Sequence, residues 1–274
     1  MAYIQASIMS ECLMRTVNIA VILPADKVPR QHQGPFKTLY LLHGIFGSQY
    51  DWINGTNVQR WANEKDLAVV MPAGENMFYV DQSDAHALYG QFIGQELVEV
   101  TRRMFPLSHK PQDTFIAGLS MGGYGALRNG LKYMDNFGYI AGLSTANVAE
   151  NIDLRTDDAD RFWQGRRYAQ AVFGDLSKVR GSDMDLFYLT KACKASGKPL
   201  PRIYLACGVD DPLLSGNRRL RDCLTQNGFD VTWEEGPGSH EWDFWNRHIR
   251  RVIDWLPLSG EAGIDSGNVG LKKE

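Results

Sequence analysis

The residues best suited to chemistry stand in Gly118-Leu119-Ser120-Met121-Gly122, which fits G-x-S-x-G. The pattern alone is weak, because glycine and serine are common. Its flanks make it specific. Thr114 to Leu119 reads as a buried strand running directly into it, and Met121 to Tyr133 as a helix running directly out. A serine at such a junction sits on a sharp turn. The turn lifts its hydroxyl clear of the sheet and points it at the unpaired N–H groups of the following helix. The glycines leave room for close backbone approach, and Gly123 and Gly125 extend the small-residue stretch. Ser120 is the candidate nucleophile.

A serine hydroxyl is a weak nucleophile and needs a neighbouring base. Of the six histidines, His240 stands in the turn-rich stretch Gly236-Pro237-Gly238-Ser239-His240-Glu241-Trp242, after an expected strand and before the last expected helix. His248 falls mid-helix among Arg247, Arg250 and Arg251 and reads as part of a solvated face. His32, His86 and His109 precede the serine in polar stretches. His43 is the tempting alternative, but an HG pair after a buried strand reads as shaping its turn. A strand-elbow serine sets the chain order serine, acid, histidine, so the acid belongs between Ser120 and His240 at the end of a strand. Cys207-Gly208-Val209-Asp210-Asp211-Pro212 meets that condition. The two aspartates are adjacent, so periodicity does not separate them. Asp183 and Asp185 lie in a loosely patterned stretch and suit the role less. The acid would hold the imidazole tautomer and stabilise the imidazolium. Two backbone donors should hold the oxyanion: the N–H of Met121, and one from His43-Gly44-Ile45-Phe46-Gly47.

The elements that must position these groups alternate along the chain. Tyr3 to Ile8 and Leu13 to Leu23 read as strands, and Thr38 to Leu42 and Leu67 to Met71 as short strands buried on both faces. Tyr139 to Leu143, Arg202 to Cys207 and Val231 to Glu234 complete the expected set. Helices are expected over Asn57 to Lys65, Asn217 to Asn227, Trp242 to Leu256 and Tyr89 to Phe105, the last with an apolar stripe at Ile93, Leu97, Val100 and Met104. This alternation predicts a mostly parallel central sheet with helices on both faces, and the strand–serine–helix elbow set in it points to the α/β-hydrolase fold. One domain over 1–258 is expected. Residues 148–198 lack a clean strand and read as an insertion that either covers the sheet or forms a partial lid; residues 259–274 read as a fraying tail. Trp52, Tyr79, Tyr124, Trp163 and Trp242 lie in or near segments expected to rim the strands' C-terminal ends, so they are the candidate substrate-binding aromatics.

The formal net charge of -3 gives no electrostatic reason to expect nucleic acid or an anionic membrane as a partner. No apolar run approaches the ~18 residues of a membrane span. The start of the chain, Met1 to Ser10, carries no export-type pattern. Cys12, Cys193, Cys207 and Cys223 have no paired metal-type spacing. Reduced thiols and a cytoplasmic location are the expectation. No metal and no organic cofactor is implied. Self-association into a homo-oligomer is left open.

Four segments together resemble the esterase D family: Leu41-Leu42-His43-Gly44, Gly118-Leu119-Ser120-Met121-Gly122-Gly123-Tyr124-Gly125, Gly208-Val209-Asp210-Asp211 and Gly238-Ser239-His240-Glu241-Trp242. The opening Ser10-Glu11-Cys12-Leu13 to Leu23-Pro24 and the Tyr79 to Leu97 stretch are also similar, so the likeness spans residues 3 to 256. Within the family the nearest likeness is to bacterial tributyrin-esterase-type acyl esterases. The resemblance implies a Ser120–Asp211–His240 triad, with the N–H groups of Ile45 and Met121 as the oxyanion hole. It implies a serine carboxylesterase acting on small acyl esters through an acyl-enzyme. Alternatives within the family are deacylation of acetylated or feruloylated carbohydrate, an S-formylglutathione-type thioesterase, and acyl transfer. A silent hydrolase-fold binding protein is the rival from outside catalysis. After His43-Gly44 the chain reads Ile-Phe-Gly-Ser-Gln, without the cysteine-containing stretch of the glutathione-thioester branch.

Overall fold

The computed structural model describes residues 1–26, 34–82 and 84–259. His32 and nearly all of the expected tail lie outside the described residues. Strands β1 (Ala2–Ser10), β2 (Arg15–Leu23), β3 (Lys37–Leu42), β4 (Leu67–Pro72), β7 (Thr114–Leu119), β8 (Tyr139–Leu143), β9 (Arg202–Gly208) and β10 (Val231–Gly236) form one sheet in the order β1-β2-β4-β3-β7-β8-β9-β10. The two short strands β5 (Asp81–Gln82) and β6 (Ala87–Leu88) pair separately. β1 pairs antiparallel with β2, and β2 antiparallel with β4; every neighbouring pair from β4 to β10 in this order is parallel.

The continuous apolar runs have a physical reason. Each residue of β4 and β7 is buried, because helices cover both faces of the sheet. Side chains alternate between two apolar layers. Tyr40, Leu42, Val70 and Ile116 face one, while Leu39, Leu41, Val69 and Phe115 face the other. The second layer is closed by α1 (Asp51–Gly55), α2 (Val58–Glu64) and α9 (Trp242–Trp255). The first is closed by α3 (Tyr89–Gln91), α4 (Leu97–Met104), α5 (Met121–Lys132), α6 (Arg166–Phe173), α7 (Leu186–Ala195) and α8 (Leu214–Gln226). The α/β-hydrolase fold is therefore present, and helices α6 and α7 of the 148–198 insertion add Ala169, Val172, Phe173, Leu186 and Leu189 to the core. No described helix is long and apolar enough to cross a membrane.

Two expectations need correction. The Tyr89–Phe105 helix is interrupted by a π-turn over Phe92–Glu96. The extra residue rotates the apolar stripe, so Leu97, Val98 and Thr101 are buried while Met104 is 46% exposed and Val100 only half-buried. The turn also presents Glu96 to the β1–β2 connection, where its carboxylate accepts from Ser10 Oγ at 2.5 Å and Glu11 N at 2.6 Å. His248 is the second correction. It is buried, stacked on Phe244 with ring centroids 4.0 Å apart, and its Nδ1 lies 3.4 Å from the Tyr204 hydroxyl. Arg247 turns to the Pro237 carbonyl and Arg250 to Glu64 and Asp254, while Arg251 pairs with Glu234, whose Oε2 also lies 3.6 Å from His248 Nδ1.

Candidate active site

β7 ends at Leu119, and α5 begins at Met121, so Ser120 alone makes the turn, at φ 53° and ψ −116°. This is a left-handed conformation that L-residues seldom adopt, held by its surroundings. The Ser120 N–H donates to the Leu143 carbonyl at 2.8 Å, and the Ser120 carbonyl accepts from Tyr124 and Ala146. The flanking glycines are required by close approach. A Cβ on Gly118 would lie 2.3 Å from the Gly122 carbonyl oxygen, and one on Gly122 would lie 2.4 Å from that of Leu42. Any side chain at either position would push the turn off β3 and β7.

The serine hydroxyl begins a continuous hydrogen-bonded line. Ser120 Oγ lies 3.0 Å from His240 Nε2, and His240 Nδ1 lies 3.0 Å from Asp211 Oδ2. His240 sits in the loop between β10 and α9, and Asp211 in the turn after β9. The two loops meet backbone to backbone, with Asp210 N donating to Gly238 O at 3.0 Å. The structure separates the adjacent aspartates. Asp211 is buried with its carboxylate on His240, whereas Asp210 is exposed. Burial by itself would push the Asp211 carboxyl up. Hydrogen bonds from His240 and the Leu213 N–H, with the nearby Ser144 hydroxyl, outweigh it and hold the group below the usual carboxylate range. Asp183 and Asp185 serve elsewhere, the first as partner to Arg128 and Lys132, the second as N-cap of α7.

The loop after β3 is built by His43. Its Nε2 accepts from the Gly74 N–H at 2.9 Å, which leaves the proton on Nδ1, donating to Gly44 O at 2.7 Å. Burial keeps the ring neutral, pulling its pKa below the ordinary histidine value. Both ring nitrogens are thus committed to the turn, and the Tyr79 hydroxyl fixes the His43 carbonyl at 2.9 Å. Phe46, at φ 66°, donates its N–H to Asn76 Oδ1 at 2.7 Å. The N–H groups of Ile45 and Met121 meet no protein acceptor among the described residues. Met121 directly follows Ser120, and Gly44, the residue before Ile45, lies against the serine, a Cβ there falling 3.7 Å from Ser120 Cβ; unpaired N–H groups are what a developing oxyanion needs.

The five candidate pocket aromatics divide. Trp52, Tyr79 and Tyr124 are buried and structural: Trp52 Nε1 donates to Leu42 O, Tyr79 packs on Gly74 and Gly125, and the Tyr124 hydroxyl donates to Met184 O. Trp163 and Trp242 are only half-buried. Trp163 lies edge-on to Phe46 at 5.1 Å between centroids, so the insertion reaches the oxyanion loop. His86 and His109 are exposed. Cys207 is buried and its thiol is pushed up to about 12, chiefly by burial, which leaves it inert. Sequence reasoning names Phe46 only within the oxyanion segment and gives no role to Asn76, Ser144 or Trp245, none of which stands in a recognisable motif.

A family model described as "Putative esterase" matches residues 10–255. An acetyl esterase of Caldicellulosiruptor saccharolyticus is 42% identical over 261 residues, covering 93% of this chain and 98% of the relative. The structure of S-formylglutathione hydrolase (FrmB) from Staphylococcus aureus is 34% identical with a TM-score of 0.80, covering 93% of this chain and 98% of that one. The substrate-bound fluorophosphonate-binding serine hydrolase FphF, also from Staphylococcus aureus, is 33% identical with a TM-score of 0.82 over the same shares. With a strand–serine–helix turn, a histidine and a carboxylate in line, and a family model spanning nearly the whole described fold, this chain belongs to the esterase family of α/β-hydrolases.

Proposed function

We propose that the protein is a serine carboxylesterase cleaving short-chain acyl esters, acetyl esters foremost, through an acyl-enzyme on Ser120. The observation that carries this reading is the unbroken line Ser120–His240–Asp211 beside two unpaired N–H groups. Neutral His240 takes the Ser120 proton as Oγ attacks the ester carbonyl. Asp211, ionised and buried, holds the Nδ1–H tautomer and stabilises the imidazolium. The oxyanion settles between the N–H groups of Ile45 and Met121, which are fixed before substrate arrives and need no reorganisation. His240 then protonates the leaving alcohol, and water repeats the cycle to release the acid. The 42%-identical acetyl esterase supports a small acyl group. Action on tributyrin-type esters is the finer part of this reading, and free thiols fit a cytoplasmic setting. A second reading, hydrolysis of an S-acyl glutathione thioester, is favoured by the likeness to the Staphylococcus aureus S-formylglutathione hydrolase.

A substrate panel tests the choice. We expect the highest kcat/KM for p-nitrophenyl acetate and butyrate, turnover of tributyrin, and a steep fall by the octanoate. A higher kcat/KM for S-formylglutathione than for any oxygen ester would replace the leading reading with the second.

A further inference from the structure

The triad leaves two buried polar groups beside it without a role. Ser144 follows β8 and is tied to the neighbouring acid-bearing strand, its N–H donating to Ala206 O at 2.8 Å. It is fully buried and adopts φ 49°, a left-handed conformation uncommon for any residue but glycine. Trp245, on the first turn of α9, donates its indole Nε1–H to Ser144 Oγ at 3.1 Å. A hydroxyl that accepts from an indole must send its own proton elsewhere, and an indole N–H cannot return the favour. Two acceptors stand near that proton: the Asp211 carboxylate, whose ionised form Ser144 helps to stabilise, and the Cys207 sulfur. The other two donors on that carboxylate are the His240 Nδ1–H on Oδ2 and the Leu213 N–H at 2.9 Å on Oδ1. The Trp245 ring also stands perpendicular to His240, with centroids 4.9 Å apart. One side chain therefore touches both the histidine and the group that steadies its acid.

We propose that Ser144 and Trp245 are positioning residues for the acid. They form a directed donor line from Trp245 Nε1–H through the Ser144 hydroxyl to Asp211, while the indole edge limits rotation of the His240 ring. The proposal rests on the triad reading above. Its consequence is orientational: with three donors the carboxylate has one preferred plane, so the imidazole it holds keeps Nε2 on Ser120. Besides His240, Cys207 on β9 is the titratable side chain facing Asp211, and its raised thiol stays neutral.

The test removes each link and asks whether the effect passes through Asp211. Ser144→Gly keeps the left-handed backbone free of strain and deletes the hydroxyl. It should lower kcat/KM for p-nitrophenyl acetate about 10- to 100-fold, as expected for a lost hydrogen bond to a charged group. Labelling of Ser120 by a fluorophosphonate should slow in parallel. The acid limb of the pH profile should move to higher pH, because Asp211 loses a donor to its ionised form. Trp245→Phe keeps a ring and should cost about 2- to 10-fold, a neutral hydrogen bond. In an Asp211→Asn background neither change should cost anything further. Circular dichroism and melting temperature establish that each variant is folded; if Ser144→Gly is not, Trp245→Phe carries the test alone. Wild-type kinetics in the folded variants, or the same loss with Asp211→Asn as without it, would overturn the proposal. If instead Asp211→Asn is itself fully active, the triad reading falls, which is a different result.

Discussion

The strand ends that carry the triad and the insertion over residues 148–198 are held by different forces. At the strand ends the ties are backbone to backbone: Ser120 N to Leu143 O, Ser144 N to Ala206 O, Ala146 N to Ser120 O. Side chains there are excluded by geometry, as the glycine contacts beside Ser120 demonstrate. The insertion is held by side chains. Buried Arg128 and half-exposed Lys132 grip Asp183, with Asp81 shared between them. The Tyr168 hydroxyl reaches the Asn76 carbonyl, and Trp163 and Phe162 lean on Phe46. Its tip leaves Leu154 69% and Phe162 61% exposed. On the function proposed above, the contrast divides the tasks: nucleophile and oxyanion donors would sit where the backbone has no freedom, and substrate selection where side chains can be exchanged without disturbing them.

The largest effect that could break this contrast lies in the frame. Asp211→Asn should reduce kcat about 10⁴-fold, the loss seen when a triad histidine is left in the wrong tautomer, while Asp210→Asn stays within a few-fold of wild type. Equal losses at the two positions, in steady-state assays on purified variants, would mean that the frame does not discriminate between adjacent carboxylates.

A smaller effect concerns stability within the frame. Burial is the main cause that lowers the His248 pKa to about 4. The folded state keeps this ring neutral until about pH 4, whereas the unfolded chain protonates it below about 6.5. The folded pKa is the depressed one, so this contribution to stability is complete above pH 6.5. It is lost as pH falls toward 4, by at most about 3 kcal/mol. Urea unfolding at pH 7 and pH 4.5 should show a steeper loss in wild type than in His248→Gln. Parallel losses would place the acid sensitivity elsewhere.

The smallest effect tests the insertion. Trp163 is half-buried against Phe46 and Phe162, so Trp163→Ala should leave the melting temperature nearly unchanged and shift preference toward longer acyl chains. A stability loss of ~3–5 kcal/mol with an unaltered chain-length profile would make Trp163 core instead.

What the sequence revealed follows the same division. Ser120 could be read because a buried strand, a glycine-flanked turn and a helix are consecutive, and His240 because its loop lies late and between two regular elements. Asp210 and Asp211 could not be separated by pattern, since the choice depends on which carboxylate tucks beneath a loop 29 residues away. The π-turn at Phe92–Glu96 leaves no mark in a helical periodicity, and it displaced the apolar stripe. His248 was misread because its arginine neighbours suggested water, whereas its burial comes from Tyr204 and Phe244. Ser144 has no local signature at all. Its hydrogen-bond partner Trp245 arrives on helix α9, and Asp211, the proposed acceptor, on the turn after β9, so only folding brings them together.

The central claim is that Ser120 alone carries the acyl group. Intact-mass and peptide mass spectrometry after a rapid acid quench of the protein with p-nitrophenyl acetate tests it most directly. One acetyl group should appear on the Ser120 peptide, and Ser120→Ala should show none while losing on the order of 10⁴-fold or more in turnover. An acetyl group on any other residue, or near-normal turnover by folded Ser120→Ala, would contradict it.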